Sequence, residues 1–173
     1  QMEHFREIAE RHMQPGDKVI LCLSQPVWVY AQKYRNMGRV FDETDLIFLR
    51  EEVFKKRGID VKVYLTGDLH HYRRHEETRE SAGGSEPVQK STAGGGGAFL
   101  HPTHEDDFST LREEAITEDV RPRVFEARAT YPDTAQSSRL AWRNLLFLFK
   151  NPRFGVVPAT VYLMTAWLVG AAA

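Results

Sequence analysis

An α/β layered domain followed by a C-terminal transmembrane helix is what the patterning of these 173 residues predicts. Helix-like and strand-like periodicities alternate through the N-terminal half, the order expected of layered α/β domains. A charged, proline-marked connection follows, and residues 154–173 hold no Asp, Glu, Lys, Arg or His. A composition of 42% hydrophobic and 27% charged residues suits one globular domain with an appendage. With 23 Lys+Arg against 24 Asp+Glu, the formal charge is −1, so no overall positive field draws in nucleic acid, which is not an expected partner.

Residues 3–13 (EHFREIAERHM) place Phe5, Ile8, Ala9 and Met13 at helical spacing, and Gln14-Pro15-Gly16-Asp17 ends the helix. The continuous apolar run 18–24 (KVILCLS) reads as a strand buried on both faces. Its Cys22, the lone cysteine, has no internal disulfide partner and reads as a small buried hydrophobe in a reducing compartment. Residues 42–57 (DETDLIFLREEVFKKR) set acids first, Lys55, Lys56 and Arg57 last and Gly58 after them, the charge order and stop of a well-capped helix. Strands are expected at 61–66 (VKVYLT) and, more weakly, at 88–92 (VQKST), separated in part by a polar loop at 77–86 expected to be mobile. Residues 109–138 read as a surface connection. Residues 139–153 read as a basic amphipathic juxtamembrane helix, with Trp142, Leu145, Leu146 and Phe149 in register and Arg139, Arg143, Lys150 and Arg153 beside them. Residues 154–173 then read as a membrane span, with Pro158 tolerated in its first turns. The basic flank places the domain on the cytoplasmic side by the positive-inside rule, with membrane lipid as a partner. A start at Gln1 and an end in apolar sequence suggest an internal piece of a longer protein.

The chemistry-bearing residues cluster after the second expected strand, in 67–76 (GDLHHYRRHE). Asp68 and His70 are two apart, so in extended chain they share a face and both reach one metal site. His75-Glu76 does not complete the two-histidine helical zinc motif, because residue 79 is Arg, and no G-x-S-x-G nucleophile elbow occurs. The second cluster is 92–104 (TAGGGGAFLHPTH), where four glycines imply a backbone that must approach something closely. It matches neither a Walker A loop nor a dinucleotide fingerprint. His101 and His104 are candidates for binding a ligand phosphate or a metal.

In succession, KVILCLSQP, a helix, VYLTGDLHHY and KSTAGGGGAF resemble the C-terminal half of the calcineurin-like metallophosphoesterases, of the membrane-associated bacterial type. The resemblance covers residues 1–108 and implies part of a layered αββα sandwich. It matches His70 to the second histidine of the family's G-H-x-H motif, a metal ligand. Asp68 stands in place of the first histidine, and Gln25 in place of the histidine before Pro26, a degenerate metal position. The family's D-x-H, G-D and G-N-H-D/E motifs are then expected upstream of Gln1. The implied cofactor is a pair of divalent ions, Mn, Fe or Zn, about 3.5–4 Å apart, which activate a water for in-line attack. Arg73, Arg74, His101 and His104 would hold the substrate phosphate at the rim. The implied function is a membrane-anchored, metal-dependent phosphoesterase acting on phosphomonoesters or phosphodiesters, inactive as this piece alone. The alternative is a non-catalytic membrane-tethered ligand-binding or interaction module with a degenerate metal site.

Overall fold

A computed structural model describes residues 2–94, 101–104, 108–113 and 122–172, so most of the glycine run lies outside the described residues. The chain runs α1 (Met2–His12), β1 (Lys18–Leu23), α2 (Val27–Asn36) and α3 (Thr44–Phe48). Helix α3 continues through a π-helical turn (Leu49–Phe54) and a 3-10 turn (Lys55–Arg57). Then come β2 (Asp60–Thr66), β3 (Tyr72–Glu77), α4 (Arg79–Ala82), β4 (Gln89–Ala93), β5 (Thr110–Glu113) and β6 (Arg123–Tyr131). The C-terminal part is α5 (Thr134–Arg143), a 3-10 turn (Asn144–Leu146), α6 (Phe147–Lys150) and α7 (Pro152–Ala172).

The described strands form one six-stranded mixed sheet in the order β1-β2-β4-β3-β6-β5. β1, β2 and β4 are mutually parallel, while β3 runs antiparallel to β4 and β6, and β5 antiparallel to β6. One face of the sheet carries Leu21, Val61, Tyr64, Leu111 and Phe125, and these pack against Ala9 of α1, Trp28 and Val29 of α2, and Leu49, Val53 and Phe54 of the α3 extension. At the end of that extension Gly58 takes φ 70°, the left-handed conformation a glycine stop supplies.

Along the sequence several expectations change. β1 is not buried on both faces, because among the described residues helices pack on one side of it: Ile20 is 63% exposed and Cys22 is exposed. The segment 109–138 is not simply a surface connection, since it contributes β5, β6 and the start of α5, with Leu111 and Phe125 buried. Both strands are short of apolar alternation, so only their pairing reveals them. Within the loop expected at 77–86, Glu77 ends β3, buried and clasped by two Arg123 N–H groups at 2.8 Å each. The basic helix begins earlier than residue 139, at Thr134, and is broken at Asn144 and again at Asn151. Helix α7 is long and apolar enough to cross a bilayer, with a window over Pro152–Ala171 of mean hydropathy 1.6.

Candidate functional site at the C-terminal edge of the parallel strands

Parallel strands present their C-terminal ends at one edge of a sheet, where the connecting loops of α/β folds gather ligands. Here β1, β2 and β4 end at Leu23, Thr66 and Ala93. The loop after β2 is tied to the end of β1 by hydrogen bonds from the Asp68 and Gly67 amides to the Ser24 carbonyl, at 3.0 and 3.4 Å. Gln25 is the next residue; it is exposed, and its carbonyl accepts from the Val27 amide at 2.9 Å as α2 begins.

The loop after β4 lies directly on the loop after β2. A Cβ at Gly94 would sit 2.1 Å from the Leu69 carbonyl oxygen and 2.3 Å from that of Gly67, so only glycine permits the contact. The close approach that the glycine run implied is therefore present at its first member. The Gly94 amide donates to the His71 carbonyl at 3.2 Å. Further on, the His70 amide donates to Nδ1 of His101 at 2.9 Å, and the His101 amide donates back to the His70 carbonyl at 3.3 Å. The two imidazoles stack with centroids 4.9 Å apart and planes at 30°. Thus His70 and His101, thirty-one residues apart, form one unit.

Asp68 faces α2, where the Tyr30 hydroxyl donates to its Oδ2 at 3.1 Å. Burial first, then the bond and charge of Asp68, push the Tyr30 hydroxyl's pKa up, so it remains a donor. Sequence reasoning missed Tyr30. The signal available was the placement of Trp28, Val29 and Ala31 one helical turn after Pro26, the buried face of α2.

The other candidates go elsewhere. Tyr72–Glu77 is a strand, so Arg73 and Arg74 point to opposite faces instead of sharing a rim. Arg73 is buried, donates to the Thr103 carbonyl at 3.3 Å and lies over the Phe108 ring at 5.1 Å. Arg74 donates to Gln89 Oε1 at 3.1 Å on the opposite face. His104 Nδ1 lies 2.8 Å from the Ser137 hydroxyl of α5. That hydroxyl also accepts from the Thr103 amide at 2.9 Å. His104 is a latch between this edge and α5, a role the sequence does not announce.

Two further histidines are buried. His71 has neither ring nitrogen hydrogen-bonded among the described residues, and burial, with Arg73 second, takes its pKa down to about 4. His75 Nε2–H donates to the Phe108 carbonyl at 2.8 Å, and it too is held at about 4, chiefly by burial.

Asp68 and His70 offer one carboxylate and one imidazole, and among the described residues no three His, Cys, Asp or Glu side chains form a group that could hold a metal ion. These two fit part of a coordination sphere, since four or more ligands are the norm. Comparison with protein-family models, curated proteins and solved structures finds no match to this chain.

Proposed function

We propose that this chain is part of a membrane-anchored, metal-dependent phosphoesterase, its sheet being part of an αββα sandwich and its edge loops one wall of the catalytic cleft. The supporting observation is the joining of the loops after β1, β2 and β4 at a single sheet edge, through Ser24, Gly94 and the His70–His101 pair. Asp68 and His70 would hold an ion there, with other ligands from outside the described residues, and a pair of such ions would supply Lewis-acid charge stabilisation and a water of lowered pKa. Tyr30 orients the Asp68 carboxylate, and His101 fixes the His70 ring by stacking. The basic flank of α7, with Arg139, Arg143, Lys150 and Arg153 and no acid after Asp133, favours the cytoplasmic side for the domain.

The test uses the intact membrane protein. Metal content and hydrolysis of an aryl phosphomonoester and an aryl phosphodiester are compared between wild type, Asp68→Asn and His70→Ala. The expected result is loss of bound metal and of turnover in both variants with the sheet's circular dichroism unchanged. Wild-type metal content in His70→Ala would overturn the ligand assignment. Bound metal with no turnover on either ester would favour the non-catalytic ligand-binding module.

A further inference from the structure

The elbow between α6 and α7 is a built feature. Asn151 leaves helical geometry (φ −127°, ψ 64°), and its amide and side-chain N–H groups both bond the Phe147 carbonyl, at 2.8 and 3.2 Å. The Phe154 amide then returns to the Asn151 carbonyl at 2.9 Å, and the Phe147 and Phe154 rings meet edge to face at 5.0 Å. This bend forms an open surface groove of about 1000 Å³, lined by exposed side chains.

Its lining is polarised along the chain. Lys150 and Arg153 line it near the elbow, and Val157, Pro158 and Val161 line it further along α7. Neither cation has a carboxylate partner among the described residues, and residues 134–173 hold no Asp or Glu. The apolar window of α7 begins at Pro152, so the two cations sit at the depth where a bilayer carries its phosphates. A ligand matching this lining has an anionic head and an apolar tail.

We propose that the elbow binds one anionic phospholipid, its phosphate on Lys150 and Arg153 and an acyl chain against Val157, Pro158 and Val161. The charge complementarity is local to the bend, and this separates the site from a diffuse basic surface. Arg139 and Arg143 lie outside the groove and contribute only to the general field. The inference is independent of the phosphoesterase reading, and its readout does not involve hydrolysis.

The test counts lipids retained by the full chain, released from nanodiscs into native mass spectrometry, with phosphatidylglycerol and phosphatidylcholine as probes. One phosphatidylglycerol per chain is expected to survive. A cation in direct contact with the lipid phosphate is worth roughly fivefold, so Lys150→Gln with Arg153→Gln should weaken retention by about 25-fold. The paired control Arg139→Gln with Arg143→Gln removes the same charge and should leave retention within about twofold. Val161→Trp, which fills the apolar wall and spares both cations, should also expel the lipid. Equal loss in the control pair, equal retention of phosphatidylcholine, displacement by equimolar glycerol phosphate, or undiminished retention in Val161→Trp would each overturn the site.

Discussion

Lys90 brings its amino group into the core, 1% exposed, between the rings of Phe125 at 4.2 Å, Trp28 at 5.2 Å and Tyr64 at 5.6 Å, and burial lowers its pKa. It is ion-paired with Glu113, which also receives Arg50 at 3.1 Å. Burial alone would raise the Glu113 carboxyl, but Lys90 and Arg50 outweigh it and hold it at about 2. The network is asymmetric: Glu113 has two cations, whereas Lys90 relies on one carboxylate and the aromatic faces. Glu113→Gln should therefore cost about 3–5 kcal/mol by stranding a buried ammonium, and Lys90→Met distinctly less, since Arg50 still neutralises Glu113. Urea unfolding of both variants checks the order. His75 makes a second prediction at this scale. Its folded pKa, about 4, lies below the ordinary 6.5, through burial first and then Arg73 and Lys90 against the Phe108 carbonyl. The unfolded chain thus binds the extra proton, so this stability is fully present above pH 6.5 and is lost as pH falls towards 4. His75→Gln should remove one proton from that dependence, about 1.4 kcal/mol per pH unit in the slope of the unfolding free energy. Gly94→Ala drives a methyl into two carbonyl oxygens and should cost about 1–3 kcal/mol. It should also release the His70–His101 stack, visible as a change in the histidine ring resonances.

Elements differ in how openly the sequence declares them. α1 and the 42–57 helix carry apolar spacing, ordered charges and a glycine stop, and both form, though the second winds through a π turn that periodicity does not reveal. β4 reads as a weak strand because Lys90, Ser91 and Thr92 are polar, yet it lies between β2 and β3 with all three buried. Its polarity is consumed by partners: Glu113 takes Lys90, and the Thr66 hydroxyl meets Thr92 at 3.3 Å. β3 is hidden for the same reason, alternating Arg73, His75 and Glu77 inwards. α5 is local in origin. Asp133 accepts from the Gln136 amide at 2.7 Å while the Gln136 side chain accepts from the Asp133 amide, a capping box. Asp133→Ala should cost about 1 kcal/mol, read by thermal unfolding. Because Ser137, one turn on, holds Thr103 and His104, fraying there should reach the candidate edge as well.

For the whole molecule the sheet edge and the membrane helix share a route. β6 ends at Tyr131 opposite Tyr72, where β3 starts, so α5 departs from the edge that carries Asp68 and His70. The candidate site and the path to α7 therefore lie at one end of the sheet. Cys22, exposed on β1, makes the proposed sidedness measurable, as the lone thiol of the chain. In sealed cells a membrane-impermeant maleimide should leave Cys22 unlabelled until the membrane is opened. Labelling of intact cells would place the domain outside. Local signals were enough for the sequence alone to determine α1, β1, the 42–57 helix, β2 and β4 in their order, the apolar C-terminal helix with its basic flank, and the loops that bring Asp68, His70 and Gly94 to strand ends. Tertiary structure alone decided the edge position of β1, the burial of Lys90, Arg73 and the two histidines, and the partners of Asp68, His101 and His104. The physical reason is that apolar periodicity and capping are properties of neighbours a few residues apart. Burying a polar side chain depends instead on a partner brought from across the sheet, and only the pairing of distant strands supplies it.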